Sequence, residues 1–176
     1  MRWLILLVLA AVAVHAGTNR KGEIVVIKVK SPSFVQNAPI PKKHAYKGEG
    51  ENVSPAILWD GVPPTARSLA LVCDDPDAPR AEPWVHWVVY GIAPKTTGLA
   101  EGQAGGAVLG TNDFGTVGWG GPMPPKGHGV HHYNFRVYAL DVELTLAPGR
   151  KKADLLAAMK GHVVAEGMLT GTYERK

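Results

Sequence analysis

Leu69-Ala70-Leu71-Val72-Cys73 is an unbroken apolar run of strand length, and it constrains the fold more than any other feature of the chain. A strand with one solvated face alternates apolar and polar residues, so a continuous run suits a sheet covered on both faces. The next segment, Trp84 to Ile92, reads as the next strand. It is expected to place His86, Val88 and Tyr90 on one face and Val85, Trp87 and Val89 on the other. Glu23 to Lys30 and Ala56 to Trp59 read as further strands, the second closed by the turn dipeptide Asp60-Gly61. Tyr133 to Leu146, broken near Asp141, and Gly167 to Glu174 complete the set. Between Gly98 and Gly129 stand 11 glycines and few apolar residues in sequence, a composition that predicts loop. The one helix predicted follows Pro148-Gly149, where Leu155, Leu156, Met159 and Val163 recur at helical spacing, and Gly161 or Gly167 ends it. Many strands with turn signals between them predict a mainly β protein, an antiparallel β-sandwich with one or two helices late in the chain.

Met1-Arg2 precedes an apolar run from Trp3 to Val14, followed by His15-Ala16-Gly17. A positive start, a short apolar stretch and small residues two apart match a secretory signal peptide, residues 1–16, cut after Ala16. Spanning a bilayer takes roughly 20 apolar residues, so no stable membrane span is expected after cleavage. Residues 17–176 are then expected to form a single secreted or periplasmic domain. One cysteine cannot make an internal disulfide, and Cys73, within the apolar run, is expected to be a buried small hydrophobe. The formal net charge is +4, unevenly spread: residues 51–149 carry 5 Lys/Arg against 10 Asp/Glu. A mild excess without a dense basic run points away from nucleic acid.

Polar residues gather in two places. Asp74-Asp75-Pro76-Asp77-Ala78-Pro79 ends the buried strand, with His86 soon after on the next. One aspartate there is ordinary turn chemistry. Three in four residues repel one another unless donors face them, and an imidazole held in one tautomer by a carboxylate is a natural partner. The second place is Gly120-Gly121-Pro122-Met123-Pro124-Pro125-Lys126-Gly127-His128-Gly129-Val130-His131-His132-Tyr133. A Gly/Pro loop of this kind either serves as a rigid connector or presents successive amides to an anion. His131 and Tyr133, two apart, share a face once the strand begins. His131 and His132 point to opposite faces, which disfavours one metal ion between them, and there is no HExxH, cysteine pair or G-x-S-x-G elbow.

These segments resemble the phosphatidylethanolamine-binding protein family, also called the Raf kinase inhibitor-like family, in its bacterial and archaeal branch. The likeness runs from Asn52-Val53-Ser54-Pro55 through Asp75-Pro76-Asp77-Ala78-Pro79, His86-Trp87 and Gly121-Pro122-Met123-Pro124-Pro125 to Gly161-His162 and Glu166-Gly167. It implies a large sheet packed on a smaller one and a small pocket for phosphate-type groups. Asp75, Asp77, His86, His131 and Tyr133 would form that pocket, completed by backbone from Met123, Pro124 and Pro125. It further implies a binder or regulator rather than an enzyme, with no cofactor. The family usually reads G-x-H-R-Y where this chain has Gly129-Val130-His131-His132-Tyr133. Histidine for arginine is expected to weaken a supporting ion pair to the aspartate cluster more than the pocket itself.

The expected function is therefore non-enzymatic binding of a phosphate-bearing small molecule or phospholipid head group. His86 and His131 are expected to donate to the anion, loop amides to cradle it, Tyr133 to add a phenolic donor or wall, and Asp75 and Asp77 to orient the imidazoles. Trp84 or Trp119, if either lines the pocket, would report binding by fluorescence. Two alternatives belong to other classes: an inhibitor of a protease or kinase acting through surface loops, and a metal-assisted hydrolase using His86, Asp75 and the loop histidines.

Overall fold

The computed structural model describes residues 25–176, so the expected signal peptide and the first residues of the first predicted strand lie outside the described residues. In chain order the strands are β1 (Val25–Val26), β2 (Lys28–Lys30), β3 (Ile57–Asp60), β4 (Ser68–Asp75), β5 (Trp84–Ile92), β6 (Gly98–Leu99), β7 (Val108–Leu109), β8 (His131–Leu140) and β9 (Val163–Tyr173). One α-helix, α1 (Lys152–Met159), precedes β9, and a 3-10 turn spans Lys42–His44. Two sheets result, a six-stranded one ordered β1-β9-β8-β4-β5-β7 and a three-stranded one ordered β2-β3-β6. This is the β-sandwich the sequence predicts. One pairing departs from antiparallel order: β1 runs parallel to β9.

The apolar run explains the layering. β4 lies inside the large sheet between β5 and β8, and all eight of its residues are buried. Leu69, Leu71 and Cys73 face the small sheet, joining Ile57, Trp59 and Leu99 in the main core. Ala70 and Val72 face the other way, where Leu155 and Met159 of α1 cover the large sheet. The Trp59 indole, buried between the sheets, donates from Nε1 to the Thr96 carbonyl at 2.7 Å. On the helix side the Tyr90 hydroxyl donates to the Ala147 carbonyl at 2.6 Å. Both of these side chains thus bury their rings and satisfy their donors.

Three boundaries differ from the sequence reading. The predicted first strand is divided at Ile27, whose side chain turns into the core at 1% exposure while its N–H donates to Glu166 at 2.7 Å. Residues before Ile27 therefore join the large sheet and residues after it the small one. Gly167 permits this crossing, because a Cβ there would strike the Ile27 carbonyl. The helix stops at Met159, with Leu156 40% exposed, and Val163 opens β9. The chain reverses in between through Gly161 at φ +82°. Finally, β8 begins at His131 and leaves the sheet after Leu140, with Asp141 bonded to the His162 carbonyl.

Candidate functional site

Asp75 is the last residue of β4 and pairs with Trp84, the first of β5. His131 is the first residue of β8 and pairs with Tyr173, the last of β9. The strand ends therefore converge at one edge of the large sheet. There they bound a cavity of about 360 Å³, whose polar wall is Asp75, His86, His131, Tyr133 and Arg175. Met123, Pro124 and Pro125 close it on the loop side, with Trp84 and Phe114 as aromatic walls.

His86 reaches this wall through a β-bulge. Cys73 pairs with Trp87 but the next residue, Asp74, pairs with Val85, so His86 is an extra residue without a partner on β4. The bulge overturns the expected alternation. Val85 falls with Val88 and Tyr90 on the helix side, and His86 turns to the side of Trp87, where its ring packs 5.0 Å from that of Tyr133. Phe114, at 5.6 Å, holds its other flank.

The three aspartates avoid mutual repulsion by facing in three directions. Asp74 turns to the helix side, where Arg136 lies at 3.1 Å and Lys152 also pairs with it. Asp75 accepts from His131 Nδ1 at 2.7 Å through Oδ2, and from the Asp77 amide at 2.8 Å through Oδ1. That second bond is an aspartate turn, and it swings Asp77 outward. Asp77 is not part of the cavity wall, contrary to expectation. It accepts instead from the amide and ring of His132, at 2.8 and 2.7 Å. His132 thus contacts the aspartate cluster itself, through hydrogen bonds in place of the fixed-charge pair an arginine would make. Burial pushes the Asp77 carboxyl up, but the His132 ring and main-chain donors outweigh it and hold it below the usual range.

The imidazoles are set differently from expectation. His86 Nδ1 donates to the Gly120 carbonyl at 2.6 Å, so a carbonyl and not a carboxylate fixes its tautomer. Burial pulls the His86 pKa down, against the opposing pull of the Gly120 carbonyl and the Asp75 charge. The neutral ring therefore presents Nε2 as a lone pair. His131 Nε2 is occupied by His128 Nδ1 at 2.7 Å. Neither ring, as it stands, offers an N–H to an anion.

The loop amides are mostly committed as well. Gly120 donates to the His86 carbonyl at 2.9 Å and Gly121 to the Asn52 side chain at 2.8 Å. Pro122, Pro124 and Pro125 have no N–H. Met123, Pro124 and Pro125 accordingly serve as apolar walls, not as an amide cradle. The unspent donors lie elsewhere: the Tyr133 hydroxyl and Trp84 Nε1 are buried without partners. Burial, reinforced by the Asp75 charge, pushes the Tyr133 hydroxyl well up, so it stays protonated.

Sequence reasoning missed Arg175, Phe114 and the partnership of His128. Arg175 follows the last strand, binding Glu49 at 3.1 Å and the Pro124 carbonyl at 3.2 Å, and nothing local to its sequence signals a cavity. Of the two tryptophans named as possible reporters, Trp84 lines the cavity, whereas Trp119 donates from Nε1 to the His44 carbonyl at 3.1 Å. Cys73 is buried as expected, and its surroundings push the thiol up. Among the described residues no group of three or more His, Cys, Asp or Glu side chains converges as a metal centre requires.

Fold and cavity together define a two-sheet β protein with a mostly apolar cavity, carrying a few polar side chains, at the sheet edge. The chain belongs to the phosphatidylethanolamine-binding protein family, whose sequence profile matches residues 30–174. A UPF0098 protein of Methanothermobacter thermautotrophicus is 50% identical over 155 residues, covering 85% of this chain and 99% of its own. Among solved structures, the phosphatidylethanolamine-binding protein homologue CT736 of Chlamydia trachomatis superimposes with a TM-score of 0.79 at 41% identity, covering 86% of this chain and 99% of its own. YbcL of E. coli gives 0.80 at 35% identity, with 85% and 99% covered. A Mycobacterium tuberculosis protein named as lipoprotein LppC is 42% identical over 150 residues, covering 84% of this chain and 72% of its own. A carboxypeptidase Y inhibitor, solved with its cognate proteinase, shares the fold alone, at 18% identity and a TM-score of 0.53. No helix among the described residues is long and apolar enough to cross a membrane.

Proposed function

We propose that this protein is a non-enzymatic receptor for a small phosphate-type group, a phosphomonoester or phospholipid head group, held in the Asp75–His86–Tyr133 cavity. The observation that carries the reading is the pair of buried donors without partners, Tyr133 Oη and Trp84 Nε1, on the wall of one cavity. Leaving such a donor unmade costs roughly 1–3 kcal/mol, a cost that an incoming oxygen would offset. Arg175 adds fixed positive charge to the same wall. The lone pair of His86 and the Asp75 carboxylate suit a ligand that also carries protons, such as a monoprotonated phosphate or an ammonium-bearing head group. The wall holds no serine or cysteine, and its tyrosine is kept protonated.

Tyr133→Phe tests the reading. The hydroxyl has no partner in the fold, so the variant keeps its stability while calorimetry shows phosphomonoester affinity falling about fivefold to tenfold. Unchanged affinity overturns the site. The expected signal peptide and the lipoprotein relative support placement outside the cytoplasm, secreted or periplasmic. The mass of the protein recovered from an exporting host, beginning at residue 17 or not, checks that placement.

A further inference from the structure

We propose that His128 is a removable plug on the anion site: it occupies His131 Nε2 in the free protein, and an anion enters by displacing it while His131 takes up a proton. The proposal rests on the anion-site reading, yet its central contact is testable without any ligand. His128 Nδ1 lies 2.7 Å from His131 Nε2, and His131 Nδ1 lies 2.7 Å from Asp75 Oδ2. A carboxylate only accepts, so His131 Nδ1 carries a proton; while the ring is neutral its Nε2 is a lone pair, to which the Nδ1–H tautomer of His128 donates. A lone pair repels a phosphate oxygen. With the plug in place, His131 gives an anion nothing to bind.

Only one proton fits between the two facing nitrogens. A first proton added to the pair leaves their hydrogen bond intact, because it settles on the outer nitrogen of His128. A second sets two N–H groups face to face, and the contact gives way. His131 Nε2–H then points at the cavity as a charge-assisted donor, with Asp75 behind it. Anion binding and proton uptake are in this way one event.

The two histidines are mounted differently. His131 is 1% exposed and locked by its pairing with Tyr173. His128 is exposed, between Gly127 and Gly129 at φ +73° and +87°, and a Cβ added at either glycine would meet nothing within 4 Å. The loop is tied down by two long bonds, Gly127 to the Arg175 carbonyl and His128 to the Pro125 carbonyl, both 3.2 Å. Two glycine hinges and slack anchors let the ring swing out. Of the charged or titratable groups around the pair, Asp75 and Asp77 favour its protonation, and Arg175 and Lys126 oppose it. His86 and Tyr133 share the cavity wall, while Tyr173 and Glu49 stand behind Arg175.

The test compares wild type with His128→Ala. Ring resonances of the ligand-free proteins are followed by NMR across the histidine range, ~pH 5 to ~8, and affinity for inorganic phosphate is measured by calorimetry. In the variant the His131 titration is expected to move, and phosphate to bind about fivefold tighter at neutral pH. That advantage should shrink on acidification, because a second proton on the pair releases the wild-type plug as well. Superimposable His131 titrations in the two proteins overturn the plug. Equal or weaker phosphate binding by the variant at neutral pH overturns it too, by making His128 a bystander or a ligand. If neither protein binds phosphate at any pH, the anion-site reading fails and the ring titrations alone decide whether the contact behaves as a plug.

Discussion

The Asp75 carboxylate and the His131 imidazole meet at 2.7 Å with their side chains 5% and 1% exposed, a buried contact between neighbouring strands whose two residues lie 56 apart in sequence. Removing one member of a buried pair strands the other. Asp75→Ala is therefore expected to lower unfolding free energy by about 2 kcal/mol, the cost of leaving the His131 Nδ1–H buried without an acceptor, read from the urea midpoint at unchanged slope. A loss below about 1 kcal/mol would mean that the contact contributes no more than a surface pair.

The neighbouring contact, Asp77 with His132, is such a surface pair, with side chains 41% and 48% exposed. Because the folded-state carboxyl of Asp77 lies below its usual value, its contribution is present above the unfolded value and fades as acid protonates it. Asp77→Asn should cost about 0.5 kcal/mol at neutral pH, with the gap closing below ~pH 4. Thermal melts of both proteins across that range check the sign.

For His86 the direction is opposite to that of a histidine that gains an acidic partner. Its folded pKa is lowered, so below the unfolded value, ~6.5, the unfolded chain binds more protons and stability is lost as the pH drops. His86→Gln should flatten that slope without removing the rest of the acid sensitivity. Stability measured between ~pH 7 and ~5 decides it, and an equally steep slope in the variant assigns the loss elsewhere.

Trp84 has its indole N–H unpaired on the cavity wall, while Trp119 is already bonded. A phosphomonoester is expected to change tryptophan emission in wild type and in Trp119→Phe, and to leave it nearly unchanged in Trp84→Phe. A full response in Trp84→Phe would place the ligand away from this wall.

Much of the scaffold was legible because its signals are local. The apolar run predicted a strand buried on both faces, and β4 is buried at every position. The spacing of His131 and Tyr133 predicted a shared face, and both line the cavity. The role of His86 was not legible, since plain alternation sends it to the helix side and only the register against β4 shows the extra residue. Three clustered aspartates looked like one site, but their separation depends on Arg136, Lys152 and His132, which lie at least 55 residues away in sequence. The glycine-rich loop suggested an amide cradle. Its amides were spent on Asn52 and on the His86 carbonyl, partners that sequence spacing does not reveal.

The bulge in β5 has an evolutionary corollary. Since one surplus residue aims the imidazole, losing Val85 would pair His86 with Asp74 in plain register and send the ring through to the helix side of the sheet. Point substitutions around it can be absorbed one at a time, whereas a one-codon deletion there should abolish recognition outright while the sandwich still assembles.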